Sequence, residues 1–174
     1  FPANGLTAIG YCAFMNCSAL ETITLPASVK TIGDQTFYGS GLIQIEVAAG
    51  NTHFTAKDGV LYNKGQTILI CYPPKKPGTD FTVPSTVQTI DESAFQGCSA
   101  LEKITLPASV TTIGKSAFGN CTALTDVTVE WTSSITNIDA DVFEDVDRSK
   151  VKLHIPVGKQ VDYEAAGWTG FDFV

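Results

Sequence analysis

The sequence predicts a solenoid of about six turns, each of roughly 23 residues and built mainly from short β-strands. A repeated segment is the first observation: LETITLPASVKTIGDQTF starts at Leu20, and LEKITLPASVTTIGKSAF starts at Leu101. The second is a regularly spaced phenylalanine, with 23 residues from Phe95 to Phe118 and 25 from Phe118 to Phe143. The third is the I-x-L that opens each unit, where apolar and polar side chains alternate as in a β-strand.

Each part of the unit that starts at Leu101 has a physical reason. Ile104 and Leu106 are expected to point inward and Thr105 outward, because successive strand residues face opposite sides. Pro107 ends the strand, since proline has no N–H for a sheet ladder. A V-x-x-I pair then makes a second inward-facing segment, followed by a glycine where a Cβ would hinder the turn. That glycine recurs as Gly10, Gly33 and Gly114.

The phenylalanine near the end of each unit is predicted to form an apolar spine. A single unit cannot bury its own apolar side, so neighbouring turns must stack on one another. Each buried phenylalanine then contributes roughly 1.5–3 kcal/mol to the free energy of folding. The predicted spine residues are Phe14, Phe37, Phe95, Phe118 and Phe143.

We expect a single domain over residues 1–174, with an enlarged repeat at residues 49–80. Val47 and Val83 are 36 residues apart, which is more than one turn. Inside this stretch, VLY and TILICY predict a hairpin around the turn at residues 63–66. Insertions in solenoids often contribute to binding, but apolar residues here also favour a buttress on the edge of the coil. The residues predicted as its core are Leu61, Tyr62, Ile68 and Ile70.

The two ends of the chain are predicted to differ. Phe1-Pro2 matches Leu25-Pro26, which indicates a start within a unit, either in a fragment of a longer protein or after removal of a preceding segment. Residues 156–174 are predicted to form a C-terminal cap, because an open solenoid end exposes a sheet edge. Its short helix comes from GKQVDYEAAG, and the aromatic residues expected to cover the last coil are Trp168, Phe171 and Phe173.

Charge and composition argue against several classes of function. The formal net charge is −7, and phosphate binding needs clustered Lys and Arg, so nucleic acid is not an expected partner. No apolar run reaches the ~18 residues of a membrane span. The sequence has no nucleophile elbow, no phosphate-binding loop and no pair of carboxylates in a context typical of catalysis. Its two histidines, His53 and His154, are far apart in sequence. We therefore expect neither an enzyme nor a cofactor.

An acidic run and five cysteines are the candidates for a metal site or a disulfide. The run matches no calcium loop, because it lacks the glycine that an EF-hand requires, so a solvated loop is favoured over a metal site. Its members are Asp139, Asp141, Glu144, Asp145 and Asp147. Cys17, Cys98 and Cys121 share one repeat position. Stacked side chains about 5 Å apart with parallel directions favour buried thiols acting as small apolar fillers over a disulfide.

The outward position of each I-x-L strand is the candidate binding site. Reading it turn by turn gives Thr24, Glu46, Thr82, Thr105, Thr128 and His154. Its neighbours include Glu21, Gln44, Glu102, Lys103, Asp126 and Lys152. This polar face could bind protein or glycan, although β-propensity alone also selects threonine there. Few aromatic residues accompany it, which weakens a sugar-stacking interpretation, and Trp131 is the one candidate.

The repeat resembles the BspA-type, or Treponema pallidum-type, leucine-rich repeats. LETITLPASVKTIGDQTFYGSG, LEKITLPASVTTIGKSAFGNC and the irregular DGVLYNKGQTILICYPP carry the resemblance over nearly the whole chain. It implies a right-handed leucine-rich-repeat solenoid, mainly β with short 3-10 or turn segments, and a parallel sheet on the concave side. Ser28, Ser85 and Ser109 stand where other leucine-rich repeats have an asparagine, so no asparagine ladder is expected.

The same resemblance implies a secreted or cell-surface bacterial protein, in a family frequent in Bacteroidetes and without shared catalytic residues. The expected function is protein–protein interaction or adhesion, with a host or bacterial surface protein as ligand. A carbohydrate-binding accessory domain and a structural spacer of a larger surface protein are the alternatives.

Overall fold

The computed structural model describes residues 5–133 and 136–174, so the start at Phe1-Pro2 lies outside the described residues. The described part is mainly β, with one 3-10 turn at Arg148–Lys150 and one helix, α1, at Gln160–Ala165. The strands are β1 Ala8–Ile9, β2 Thr22–Leu25, β3 Thr31–Ile32, β4 Gln44–Val47, β5 Phe54–Lys57, β6 Val60–Asn63, β7 Ile68–Cys71, β8 Asp80–Thr82, β9 Thr89–Ile90, β10 Lys103–Leu106, β11 Thr112–Ile113, β12 Asp126–Val129, β13 Lys152–His154 and β14 Asp172–Phe173.

The strands that open the repeats form parallel ladders in register. In one sheet the order is β14-β13-β12-β10-β8, and β2 pairs with β4 in another. Ile104 lies opposite Val127, and Leu106 lies opposite Val129, so each repeat position stacks on its equivalent in the next turn. The solenoid makes about seven turns rather than six, because β14 adds a last strand beside β13.

Burial along these strands confirms the predicted alternation. Ile104 and Leu106 are buried, whereas Thr105 between them is half-exposed. The return strands make a second set of ladders, β1-β3 and β11-β9-β7. Parallel ladders on two sides enclose the apolar positions of every turn, which is the solenoid core that the repeat predicts.

The repeated glycine is required because two turns approach each other closely. A Cβ added to Gly114 would lie 2.5 Å from the backbone nitrogen of Glu92 in the preceding turn. Gly33 meets Tyr11 in the same way and at the same distance. A Cβ at Gly10 would have no atom within 4 Å among the described residues. The constraint is therefore steric and depends on a preceding turn.

The aromatic spine is confirmed, and it has two segments in the described part of the chain. Phe118 stacks on Phe95 and on Phe143, with ring centroids 5.1 and 5.0 Å apart. Tyr72 of the enlarged repeat extends this stack, 5.2 Å from Phe95. Phe14 and Phe37 form a separate stacked pair with centroids 5.9 Å apart. A polar cavity of about 40 Å³ lies between Phe37 and Tyr72, where the spine is interrupted.

The enlarged repeat forms an antiparallel three-stranded meander. β6 pairs with β7 around the turn at residues 63–66, and β5 adds a third strand that the sequence did not predict. β7 then pairs in parallel with β9 and so rejoins the return ladder. Leu61 faces the N-terminal core and Tyr62 faces the C-terminal core, so the meander stands between the two. The boundaries predicted for the enlarged repeat, residues 49–80, and for the C-terminal cap, residues 156–174, stay predictions.

Of the two isoleucines of β7 that were predicted as core, Ile70 packs against the N-terminal core, whereas Ile68 belongs to neither core of the described residues. Both are half-buried, whereas Leu69 and Cys71 are buried. The reason is the register, which places Leu69 beside Ile90, a core residue of the return ladder. A strand shifted by one residue exchanges its two faces, and a run of consecutive apolar residues does not specify which face is inward.

Asn51 anchors the start of the meander to the N-terminal turns. Its amide nitrogen donates hydrogen bonds to the carbonyl oxygens of Pro26 and Val29, at 2.9 and 3.0 Å. Its side-chain oxygen accepts hydrogen bonds from the backbone N–H groups of His53 and Phe54, both at 2.8 Å. The side chain is buried and satisfies four backbone groups at a point where the strand ladder is interrupted.

The small helical cap is confirmed, and Trp168 is a core residue as predicted. Trp168 is fully buried, and its indole N–H donates to the carbonyl of Thr136 at 2.9 Å. Tyr163 of α1 is buried too, and its hydroxyl donates to the carbonyl of Trp131. Phe171 packs edge-on against Phe143, so the cap continues the aromatic spine to the end of the solenoid.

Candidate ligand-binding face

The predicted outward ladder exists, but it is divided into two parts. Thr82, Thr105, Thr128 and His154 lie side by side in exact strand register across β8, β10, β12 and β13. Thr24 lies beside Glu46 in the separate β2–β4 sheet. The sequence repeat predicts one continuous row, and the meander separates its two parts.

The two parts differ in chemistry. In the β2–β4 sheet, the Thr24 hydroxyl donates to a carboxylate oxygen of Glu46 at 3.1 Å. The Gln44 amide also contacts that carboxylate, at 3.4 Å, so its oxygens are engaged by neighbours in the same sheet. These residues border an open depression beside the meander, which includes Gly59 and Lys64.

The β8–β14 sheet carries a second outward row, which lies two residues before the threonine on β8, β10 and β12 and two residues before His154 on β13. Strand register places these residues next to one another, and their charges alternate in sign. In order across the sheet they are Asp80, Lys103, Asp126, Lys152 and Asp172. We call these five residues the charge row. Four of them are exposed and Asp126 is half-exposed.

Sequence reasoning found only part of the charge row. Lys103, Asp126 and Lys152 were recognised as neighbours of the threonine ladder, but Asp80 and Asp172 were not. The alternation becomes visible only when each strand is aligned on its inward-facing residue, such as Ile104 with Phe81. Asp172 was missed because the sequence around it does not resemble the repeat.

His154 and Asp126 form the shortest side-chain hydrogen bond on this face. The His154 Nε2 donates to Oδ1 of Asp126 at 2.8 Å, and the Thr125 hydroxyl donates to Oδ2 at 2.9 Å. The His154 hydrogen bond, with that from Thr125, lowers the pKa of the Asp126 carboxyl, because both bonds favour the ionised form. Lys103 adds a smaller electrostatic contribution in the same direction. His154, Asp126 and Lys103 border a shallow depression of about 440 Å³, together with Thr105 and Thr128.

Trp131 does not belong to this face, which corrects its assignment as a binding residue. Its side chain is only 2% exposed, and its indole N–H donates to the carbonyl of Val110 at 2.8 Å. Its ring packs against Trp168 of the cap, with centroids 5.5 Å apart. A tryptophan just after a strand can turn inward where the repeat ends, because the cap supplies an apolar surface. This ring is therefore unavailable for stacking on a sugar.

The five cysteines are free thiols, and three of them are buried. Cys98 and Cys121 are fillers as predicted, with thiols directed to the carbonyl oxygens of Tyr72 and Phe95. Burial raises the pKa of Cys121 to about 12 and raises that of Cys98 well above the ordinary range. Cys17 shares their repeat position but is exposed, so the filler prediction is wrong there. The first turn lacks a described neighbour that would cover it.

Residues of the acidic run take separate partners. Asp141 pairs with Lys115 at 3.7 Å, Glu144 accepts a hydrogen bond from Ser116, and Asp147 pairs with Lys150. Among residues 5–133 and 136–174, no group of three or more His, Cys, Asp or Glu side chains is placed to hold a metal ion. The described helix is also too short to cross a membrane.

Comparisons with known proteins agree with this geometry. The profile of the BspA type leucine-rich repeat region matches residues 1–66 and 74–159, in six copies. A leucine-rich repeat protein from Eubacterium ventriosum is 32% identical, with a TM-score of 0.64 over 89% of this chain and 47% of that chain. A leucine-rich cell surface protein from Faecalibacterium prausnitzii is 29% identical, with a TM-score of 0.70 over 87% of this chain and 45% of that chain.

The pneumococcal vaccine antigen PcpA shares the fold, with a TM-score of 0.61, 22% identity and coverage of 100% of this chain and 60% of that one. The chain spans about half the length of the Eubacterium and Faecalibacterium proteins. No curated protein gives a significant match. Because the family profile covers most of the sequence and the ladder register reproduces the repeat, the chain belongs to the BspA-type leucine-rich repeat family.

Proposed function

We propose that this chain is a non-enzymatic protein-binding module of a bacterial surface protein, and that the outward face of the β8–β14 sheet is its ligand surface. The observation that carries the proposal is the pair of polar rows on this sheet. Thr82, Thr105, Thr128 and His154 form one row, and the charge row runs beside it. A broad polar surface on a rigid scaffold suits recognition of a macromolecule.

The scaffold supports this role because it fixes the spacing of both rows. Behind Thr105 and Thr128, the inward residues Ile104 and Val127 are buried in one continuous core. A ligand therefore meets side chains whose backbone positions are set before binding, which reduces the entropy lost on association. The likeness to a cell surface protein of Faecalibacterium prausnitzii supports an extracellular location.

Protein is favoured over glycan as the ligand because of the position of the aromatic residues. Trp131 is buried, and the depression around Thr105 is bordered by carboxylate, ammonium, hydroxyl and imidazole groups. A non-enzymatic role is consistent with the buried thiols of Cys98 and Cys121, whose raised pKa values disfavour the nucleophilic thiolate.

The proposal can be tested with a large substitution at the centre of the face. The domain would be used as bait against purified bacterial and host surface proteins, beside Thr105→Arg. Thr112→Arg is the matched control, because Thr112 is an exposed strand residue of the return ladder. We expect ligands retained by the wild type and by Thr112→Arg to be lost with Thr105→Arg. Equal retention by all three proteins would contradict this assignment of the face, and a parallel glycan array tests the carbohydrate alternative.

A further inference from the structure

We propose that the charge row recognises a peptide segment in the polyproline II conformation that carries a basic residue at every third position. This inference rests on the proposed function, since it names the chemistry of the ligand for the same face. It is drawn from the order of charges and from the spacing of parallel strands.

The spacing of the charge row is fixed by the sheet. Each of its residues lies opposite the next in strand register, from Asp80 through Lys103 and Asp126 to Lys152 and Asp172. Neighbouring strands are about 4.8 Å apart, so like charges recur at about 9.6 Å. Three carboxylates at this spacing therefore present a periodic target about 19 Å long.

The charges of the row are available to a ligand. Lys103 and Lys152 are exposed, and neither lysine has an ion pair within the described chain. Asp80 and Asp172 are also exposed and lie at the two ends of the row. Of the five residues, only Asp126 has a close hydrogen-bonding partner on a neighbouring strand, which is His154.

The period of the row matches polyproline II better than the other regular backbone conformations. Polyproline II rises about 3.1 Å per residue with three residues per turn, so every third side chain lies on one face at about 9.3 Å intervals. In a β-strand, side chains on one face recur at about 6.6 Å, and a third residue at about 9.9 Å points to the opposite face. In an α-helix, two turns rise about 10.8 Å, which accumulates a mismatch of more than 2 Å along the row.

The threonine row provides the second half of the recognition. Thr105 lies two residues from Lys103 on the same face of the same strand, and Thr82 and Thr128 flank it in register. The backbone of a polyproline II segment makes no internal hydrogen bonds, so its carbonyl groups can accept hydrogen bonds from these hydroxyls.

The test uses a synthetic peptide of repeated Lys-Pro-Glu, about 18 residues and therefore roughly 55 Å long. Binding to the ¹⁵N-labelled domain would be followed by NMR titration, which also detects weak complexes. We expect chemical-shift changes at the backbone amides of Lys103, Asp126 and Lys152, and weaker binding as salt screens the charges. Two further peptides, Lys-Ala-Glu repeats and a peptide of the same composition with its lysines in one block, should bind more weakly.

The matched protein variant exchanges two charges of the row without changing the net charge. Asp80→Lys combined with Lys103→Asp abolishes the alternation and leaves the His154–Asp126 pair in place. We expect about a ten-fold increase in the Kd of the Lys-Pro-Glu peptide, because position 80 becomes repulsive toward a peptide lysine and the carboxylate moved to position 103 is out of phase with the other peptide lysines. The control exchange, Lys115→Asp with Asp141→Lys, alters an ion pair outside the sheet and should leave the Kd unchanged. Amide spectra of both variants establish that each is folded.

Three results would overturn the inference: no binding of the Lys-Pro-Glu peptide, an unchanged Kd after the Asp80/Lys103 exchange, or equal binding of the Lys-Ala-Glu peptide. The two proposals remain distinguishable. If the peptide results are negative while a surface protein is still lost with Thr105→Arg, the face binds protein but the ligand chemistry is different. If Thr105→Arg also has no effect, both proposals fail.

Discussion

The turns on the two sides of the meander have the same repeat but are packed very differently. On the C-terminal side, Phe118 lies between two other rings and is completely buried. On the N-terminal side, Phe14 occupies the same repeat position but is only half-buried. Cys121 and Cys17 differ in the same way. In a solenoid, the energetic role of a residue thus depends on how many neighbouring turns cover it as well as on its place in the repeat.

The largest expected difference between the two regions concerns the aromatic spine. Phe118→Ala should lower the free energy of unfolding by about 3–5 kcal/mol, since it leaves a cavity between two rings. Phe14→Ala should cost about 1–2 kcal/mol, because part of the ring is already in water. Urea denaturation of both variants measures the comparison. Equal losses would show that the two regions are packed alike.

Asn51 tests how the N-terminal turns are held to the meander. Asn51→Ala removes partners from four backbone groups, and we expect a loss of about 2–4 kcal/mol. Asn63→Ala is the matched variant, because Asn63 accepts backbone hydrogen bonds from Thr67 and Ile68 but is half-exposed in the hairpin turn. Its loss should be about 1 kcal/mol. Thermal unfolding of the two variants gives the ranking, and a larger effect at Asn63 would contradict it.

Two glycines provide a comparison of the same chemical change in two surroundings. Gly114→Ala places a Cβ against the backbone of the preceding turn and should cost about 1–3 kcal/mol. Gly10→Ala adds the same atom where nothing described lies within 4 Å, so its effect should stay within about 0.5 kcal/mol. The denaturant midpoints of the two variants show whether the repeated glycine is needed because two turns approach each other or because of its backbone conformation. Similar losses at both positions would favour the conformational role.

The smallest effect concerns the contact between His154 and Asp126 on the C-terminal sheet. His154 lowers the pKa of Asp126, so the pair stabilises the fold above the pKa of an unfolded aspartate, about 3.9. This contribution is lost as the pH falls through the lower pKa of the folded state. Asp126→Asn should therefore reduce stability by less than about 1 kcal/mol at pH 6, with no difference from wild type near pH 2. His154→Asn serves as a second arm, and a difference that persists at low pH would contradict the ionic origin.

The fold could be predicted from the sequence because the same pattern of apolar, polar and aromatic residues recurs in several turns. Ile104, Leu106 and Phe118 lie in the predicted environments, since each recurs with the same neighbours in several turns. The places where prediction failed are those that occur once. Ile68 lies in an apolar run that leaves its face undetermined, and Trp131 turns inward because a cap follows it.

The backbone conformation of the turns was also harder to predict from the sequence than the packing of the core. Ser93 and Ser116 have positive φ angles of 58° and 50°, although serine rarely adopts this conformation. Their equivalent in the second turn, Gln35, does the same at 52°. The Ser93 N–H donates to the carbonyl of Lys115 in the next turn, a contact between coils that helps to offset the strain. No residue preference signals this geometry, because different amino acids occupy the position.

The candidate site was predictable in its position but only partly in its composition. The threonine row followed directly from the strand alternation, whereas recognition of the charge row needed the register between residues that are 20 to 26 positions apart in sequence. Asp80 and Asp172 became part of the row only through their alignment with Lys103 and Lys152. Pairwise register between distant strands is a property of the fold and cannot be read from any one segment.

The alternating order of the charge row has a consequence for how such a chain can lengthen by gene duplication. Copying a single unit, such as the one that carries Lys103, would put two lysines on adjacent strands and reverse the phase of every residue beyond them. Copying two consecutive units would insert one lysine and one aspartate and leave the alternation intact. If the alternation is under selection, family members that keep this row should therefore differ in length by even numbers of repeats, a parity that a comparison of genomes can count.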